Sequence, residues 1–598
     1  MNATAPSEAS PVTPSSVRHA SLVAGIGAAL VASDAAIVRF RPLLLTDPDP
    51  GWAVPRLLLG LAVIVAAAAA AGVAAGGIVL LSRTRVGRRP LAALEGRPGW
   101  IAVGALALVV VAAAILRFTH LSTVPLALWG EDLTLIDPAL ALSGRWSDFR
   151  NSIRPAPFGV SKPYGSVGVL YLEAFRWSLL AFGRSAVGVR FLSVAAGTVS
   201  VVTAAALGRT LLPRGGGALA GLAVAGLRWS LILSRWGYVA IVLTPIADVA
   251  AILLIRALRR RSLALALAAG AVLGIGTHVY LASWVVLAAL LLFAVWPAEE
   301  RPGFRRRAGL AFALAAGFAL VAAPLFLFRE GRVAPYFART IDQSLLREMR
   351  IARSPLPVLD AAAVSLEAPW WAVDPSPWQD VPRPRLGWLL GIPVAVALAR
   401  ALLWPARELS GFLLAHCAAA FAASVASGTV MQPNGFRFAY LTTVTGVAAA
   451  AGLMALVGAF ARSARRAASL AACGALLVSG ALAARSVFSE WAPQLEMLDG
   501  FSGLDNLLAR TALLWEPVGT VRVDPRLALS PVTVDLVRGV RRADLPPSRG
   551  SARDRRGRVF RIVPASEGLR PGERLVERIS DPWGKNWAVV LGEKRPDY

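Results

Sequence analysis

Apolar runs close to the length that crosses a bilayer recur along this chain, separated by short loops crowded with arginine. A transmembrane helix needs about 20 apolar residues to cross a hydrocarbon core of roughly 30 Å. Composition agrees with a chain made for lipid. Of 598 residues 56% are hydrophobic and only 16% charged, against about 45–50% and 25% in soluble globular proteins. Mean hydropathy is +0.59. The sequence therefore predicts an all-α polytopic membrane protein, and excludes a secreted disulfide scaffold, a disordered chain and an ordinary soluble enzyme.

Lys+Arg 62 against Asp+Glu 36 gives a net charge of +26. In a soluble chain that excess would suggest nucleic acid. Here arginines that set topology explain it, and no nucleic-acid partner is expected. Two cysteines, Cys417 and Cys473, lie inside apolar runs, where they read as small packing residues.

Hydropathy predicts spans near 21–40, 55–82, 100–117, 186–206, 217–233, 239–258, 262–277, 279–297, 308–328, 386–404, 409–429, 437–460 and 468–485. The run 163–183 is also apolar. The basic loops decide what it does. Arg83, Arg85, Arg88 and Arg89 precede the span at 100–117; Arg209 and Arg214, Arg259 to Arg261, Arg305 to Arg307, and Arg462, Arg465 and Arg466 occupy four later loops. The positive-inside rule puts them all on the cytoplasmic side, which holds only if 163–183 does not cross. About thirteen spans follow, with 163–183 as a helix at the outer face.

The expected organisation is a polar, disordered cytoplasmic N-terminus over 1–20, without the basic start of a signal peptide. Two extra helices and a basic linker follow over 21–99, then a membrane domain over 100–485 with outer loops 118–185 and 329–385. Residues 486–598 read as a small extracytoplasmic α/β domain, near the common domain size. It has a helical stretch around Leu504–Leu514, alternating segments at 519–523 and 559–563, and a polar end over 584–590.

Chemistry concentrates in the first outer loop, where Trp129, Gly130, Glu131 and Asp132 follow the span at 100–117. Adjacent carboxylates beside an interfacial Trp could serve as a base or an ion ligand; by themselves they also suit a solvated turn. Lys162, one of three lysines in the chain, stands with Pro163 at the start of the non-crossing run.

With these residues the chain resembles the GT-C superfamily of membrane glycosyltransferases. Within it, the nearest likeness is to the dolichyl-phosphate-mannose–protein mannosyltransferase family and its bacterial aminoarabinose transferase relatives. Glu131–Asp132 and Lys162–Pro163 stand where that family has its acidic pair and its Lys-Pro. Phe182–Gly183, Arg190 with Ser193, Gly208–Arg209, the Ser234–Arg235–Trp236–Gly237 stretch, Thr277–His278 with Tyr280, and Pro433–Asn434 with Arg437 follow in the family's order. The likeness runs over about 100–490. One departure stands out: the family reads Asp then Glu, whereas this chain reads Glu131 then Asp132.

The resemblance implies a sugar donor on a polyprenyl monophosphate, and transfer to a protein, lipid or glycan hydroxyl on the extracytoplasmic face of a plasma (inner) membrane. One carboxylate, Asp132 or Glu131, would take the acceptor's proton. Phosphate is already a good leaving group, so no second carboxylate is needed as an acid, in contrast to glycoside hydrolases. In-line attack predicts inversion. Lys162, Arg190, Arg235 and Arg437 are the expected cations for the departing phosphate, and His278, Tyr280 and Asn434 the expected substrate contacts. No cofactor is demanded, though Glu131 and Asp132 with phosphate oxygens could hold a divalent cation.

Asp34 and Asp248 fall within predicted spans, where ionisable groups are costly. For Asp34 a mis-drawn or interfacial span is the simpler reading; for Asp248 a hydrogen bond between helices is at least as good as a role in transport or catalysis. His416 reads as a buried hydrogen-bonding residue. Trp370, Trp371 and Trp378 suit sugar stacking and an interfacial belt equally. A transporter or flippase of a lipid-linked substrate, and a non-catalytic relative in envelope assembly, are the competing readings. Against transport stand the lack of a repeat between halves and polar residues placed outside the midplane. The Ala/Arg-rich, Lys-poor composition points to a bacterial source.

Overall fold

The structure, a computed structural model, describes residues 99–121, 124–125, 135–142, 169–183, 185–298, 303–327, 344–367, 385–428, 435–461, 463–492, 508, 520–524, 559–566, 569, 571, 573–580 and 586–593. The expected spans at 21–40 and 55–82, with Asp34, lie outside them. The helices are α1 (Gly99–Phe118), α2 (Ile136–Ala141), α3 (Val169–Phe182), α4 (Ala186–Leu211), α5 (Gly216–Ala225), α6 (Arg228–Trp236), α7 (Leu243–Arg260, entered through a 3-10 turn at Val239–Val242) and α8 (Leu263–Thr277). Then come α9 (Ser283–Val295), α10 (Phe304–Leu327), α11 (Leu345–Ala352), α12 (Pro357–Glu367), α13 (Gly387–Leu403), α14 (Glu408–Ala426), α15 (Leu441–Ala459) and α16 (Arg465–Ser486, continued by a π turn to Trp491).

Six of these segments are long and apolar enough to cross a membrane, and the bent pair α5–α6 makes a seventh. The chain is a multi-pass membrane protein. The span expected at 217–233 is this pair, bent by 55°. Leu227 is extended, with φ −78 and ψ 115, so the backbone leaves the helix there and re-enters one residue later. Helix α3 covers most of the run 163–183 and has 14 residues. At 1.5 Å per residue this described part of the run spans about 21 Å.

Small residues bring the helices together, as expected where lipid removes the hydrophobic drive between them. A Cβ on Gly270 would overlap the Leu314 carbonyl and one on Gly317 that of Leu267, so α8 and α10 meet backbone to backbone. Gly226, at the bend, faces Gly480 of α16 in the same way. Polar contacts add direction. The buried Asp248 carboxylate of α7 accepts hydrogen bonds from Thr203 of α4 (2.5 Å) and Thr443 of α15 (2.6 Å), which joins three helices.

The two ends of the bundle differ. At one end Arg259 donates to the Thr210 carbonyl (2.8 Å) and pairs with Glu408, Arg306 to that of Arg261 (3.1 Å), Arg307 to that of Trp296 (2.6 Å), and Trp296 to that of Pro405 (2.8 Å). These bonds bring together the loops of Arg209 and Arg214, Arg259 to Arg261 and Arg305 to Arg307, three of the groups that the parity argument puts on one side. At the other end Arg190, near the start of α4, donates to the Leu121 carbonyl (2.9 Å), just past α1. Segment 119–185 therefore begins and ends at one face, as expected if α3 does not cross.

Near the C-terminus lies a four-stranded sheet in the order β1–β2–β4–β3: β1 (Thr520–Val523), β2 (Val559–Pro564), β3 (Glu573–Ser580) and β4 (Asn586–Glu593). β1 and β2 are parallel, with Val521 opposite Phe560; β2–β4 and β3–β4 are antiparallel. The segment expected as a polar tail is thus a central strand. Its alternation explains the placement: Ala588 and Val590 pack with Phe560, Ile562 and Leu508 on one face, Val589 and Leu591 with Val563 on the other. Of the expected helical stretch at 504–514, only Leu508 is among the described residues.

Candidate functional site

Of the residues proposed from sequence, those described, Arg190, Arg235, His278, Tyr280 and Arg437, lie toward the end opposite the arginine loops. Helix α6, with eight of its nine residues buried, brings Arg235 there, and Gly237, at φ 96, reverses the chain directly after it. The last carbonyls of a helix lack partners within it, and a guanidinium offers five N–H groups in a fixed fork. Arg235 uses that fork on the end of α1. Nη1 donates to the carbonyls of Leu116 (2.9 Å) and Arg117 (2.8 Å), and Nη2 to those of Thr119 (2.8 Å) and Val124 (2.6 Å). Phe488 lies 4.5 Å from the guanidinium carbon, a cation–π contact. The residue is wholly buried.

Beneath it, Arg117 bridges the bend between α5 and α6. Its Nη2 donates to the Val224 carbonyl (3.3 Å) and the Ser230 hydroxyl (3.1 Å), and its Nε to Ser234 Oγ (3.2 Å). Ser234 fits against α4 because residue 197 is glycine; a Cβ there would overlap its hydroxyl. Among the described residues no carboxylate pairs with Arg117. Neutral oxygens solvate this buried charge.

Arg235 thus serves the backbone of 116–124, an occupation different from the phosphate contact the sequence suggested, and Arg190 reaches Leu121 from α4. They fix one edge of the stretch 126–134, which carries Glu131 and Asp132. The other edge is held by Leu135, Ile136 and Ala139, buried in one core with Tyr171, Phe175 and Leu179 of α3. Helix α3 is in turn tied to α4 by Ser178 Oγ donating to the Gly188 carbonyl (2.5 Å), across a corner where Gly183 has φ 73. Glu131, Asp132, Lys162 and Asn434 themselves lie outside the described residues, as do Trp370, Trp371 and Trp378.

The remaining proposed residues line the same end. Tyr280 meets Tyr238 edge-on at 6.0 Å, Tyr238 stacks on Trp236 at 5.1 Å, and Ser193 Oγ donates to the Tyr238 carbonyl (3.0 Å). His278, after α8, donates from Nε2 to the Val321 carbonyl (3.0 Å), which assigns the proton to that nitrogen. Burial holds the imidazole below its ordinary range, against the opposing effect of that hydrogen bond, so the ring is neutral at pH 7. Arg437 belongs to a 3-10 turn, Gly435–Phe438, fastened to α6 by Trp229 Nε1 donating to the Gly435 carbonyl (3.2 Å). The Arg385 guanidinium covers the Trp229 ring at 5.8 Å and packs against Gly435.

His416 is buried in α14, its Nδ1 donating to the Phe412 carbonyl (2.8 Å) within that helix and its ring 6.3 Å from that of Tyr440. Both cysteines are free. Among the described residues no three His, Cys, Asp or Glu side chains gather as a metal site. Arg117, Ser230, Trp229 and Arg385 are the members that sequence reading missed. An arginine in the last turn of an apolar run was the available signal for the first.

A model of the dolichyl-phosphate-mannose–protein mannosyltransferase family matches residues 168–327. The match sets this chain beside the GT-C membrane glycosyltransferases. It takes in Arg190, Arg235, His278 and Tyr280, and leaves Glu131, Asp132, Lys162 and Arg437 outside. Among solved structures, the apo oligosaccharyltransferase of Archaeoglobus fulgidus is 15% identical with a TM-score of 0.43, covering 69% of this chain and 57% of its own. This chain thus spans little more than half of that enzyme's length. ArnT from Cupriavidus metallidurans bound to undecaprenyl phosphate is 13% identical with a TM-score of 0.42, covering 83% of this chain and 99% of its own. A sequence search of curated proteins finds no match.

Proposed function

We propose that this chain is a membrane glycosyltransferase that moves a sugar from a polyprenyl-phosphate donor to an acceptor hydroxyl, at the bundle end opposite the arginine loops. The observation that carries the reading is the family match over 168–327, whose Arg190, Arg235, His278 and Tyr280 converge on that end. By the positive-inside rule this is the extracytoplasmic face.

In this reading Asp132 or Glu131 is the base, and removes the acceptor proton as its oxygen attacks the anomeric carbon. The bond to phosphate breaks on the opposite side, and the anomeric configuration inverts. Lys162 and Arg437 meet the departing phosphate; the wholly buried Arg235, with Arg190, positions the loop that bears the base. Fixing that loop before reaction lowers the cost of bringing base and acceptor together. His278, Tyr280 and Asn434 border the substrate.

The test is turnover. Purified protein in liposomes receives a panel of radiolabelled polyprenyl-phosphate sugars, with and without an envelope extract as acceptor. The reading expects extract-dependent loss of sugar from at least one donor. No turnover with any donor, from folded protein and a competent extract, would overturn it.

A further inference from the structure

The arginine loops leave one group unexplained. Helix α11 and its C-cap carry Arg347, Arg350 and Arg353, three cations within seven positions, at the end of the bundle opposite the arginine loops. Its height is fixed by its inner face. Leu345 is buried, and Glu348 lies against Gly428, just past the end of α14, so closely that a Cβ there would overlap the carboxylate. Helix α12 holds the next segment at the same level through Ser365 Oγ, which donates to Ser424 of α14 (2.8 Å). Thus α11 lies where α14 leaves the hydrocarbon.

The outer face of α11 mixes two kinds of side chain. Leu346 is 66% exposed and Ile351 73%, and between them on the helix surface stand Arg347 and Arg350, both exposed. Arg353, exposed, and Leu356, 39% exposed, continue the strip. Large aliphatic groups bared beside arginines suit neither bulk water nor the hydrocarbon interior. They suit the boundary, where aliphatic carbons enter the acyl layer and guanidinium groups reach the phosphates.

We infer that the exposed face of α11 is a docking surface for the phosphates of anionic phospholipids in the leaflet at this end of the bundle. Charge complementarity selects this occupant: a short helix with three arginines gains from an anionic headgroup layer and little from a zwitterionic one. Bidentate contact to phosphate oxygens is what arginine offers. The inference stands apart from the proposed reaction.

The test uses the full chain with Cys417 and Cys473 replaced by alanine, and a spin label at Ile351→Cys. The protein is reconstituted in vesicles of phosphatidylcholine alone or with roughly one third phosphatidylglycerol, a composition that gives an anionic surface. Collision with oxygen relative to a water-soluble nickel chelate reports depth. We expect that ratio to rise at least about twofold in the anionic vesicles. The rise should vanish with Arg347→Gln, Arg350→Gln and Arg353→Gln together, and return when the three are lysine. A label at Leu477→Cys, on the exposed side of α16, should read the same in both. An equal ratio at residue 351 in the two vesicles, or a rise that survives the glutamine substitutions, would overturn the inference.

Discussion

Arg235 could be read from its neighbours in sequence as a phosphate ligand, yet its fork is spent on the carbonyls of 116–124. Sequence places a guanidinium near a functional loop; only the fold shows which oxygens it meets. Arg235→Ala should leave those carbonyls bare and cost more than about 3 kcal/mol of stability, measured by thermal unfolding in detergent. Arg235→Lys keeps the charge without the fork. It should raise hydrogen exchange of the Thr119, Leu121 and Val124 amides and lower kcat for donor turnover, with little change in KM; a phosphate ligand would raise KM instead. Asp248 was legible as a link between helices, because a carboxylate in a span needs partners, although those partners, Thr203 and Thr443, were not. Asp248→Leu should cost about 1–3 kcal/mol, and Asp248→Asn less, by the same unfolding measurement.

The helices follow the hydropathy pattern closely where runs are long, as in α4 and α7, because burial in lipid demands continuous apolar sequence. Breaks are harder to read. The α5–α6 bend is set by Gly226 against Gly480 and by Arg117 reaching Val224 and Ser230, contacts between segments far apart in the chain. Short strands were legible only in part: alternation marked β1 and β2, while the polar start of β4 concealed a segment with apolar residues on both faces. Close packing gives a sharp prediction for α8 and α10. Gly270→Leu would place a side chain in the Leu314 backbone, and should abolish recovery of folded monomer in size-exclusion chromatography, whereas Gly309→Ala, with open space around it, should not.

For the chain as a whole, two ends with different chemistry follow from one charge pattern. Arginines crowd the loops at one end, while the family-like residues, the anchored edges of the 126–134 stretch and α11 share the other. Single cysteines at Gly303 and Ser354 in a cysteine-free background should react with a membrane-impermeant thiol reagent from opposite sides of right-side-out vesicles. The proposed base, Asp132 or Glu131, was singled out only through resemblance, since an acidic pair in a loop has no period or spacing of its own. They are also where the proposed function is most exposed to failure. The decisive measurement is donor turnover in liposomes by wild type, Glu131→Gln, Asp132→Asn and, from the arginine-rich end, Glu408→Gln. A glycosyltransferase working at the end opposite the arginine loops should lose at least about 100-fold with one of the two loop substitutions, and stay within about threefold for Glu408→Gln, a partly exposed surface pair. Wild-type turnover that survives both loop substitutions, or falls only with Glu408→Gln, would contradict that placement of the chemistry.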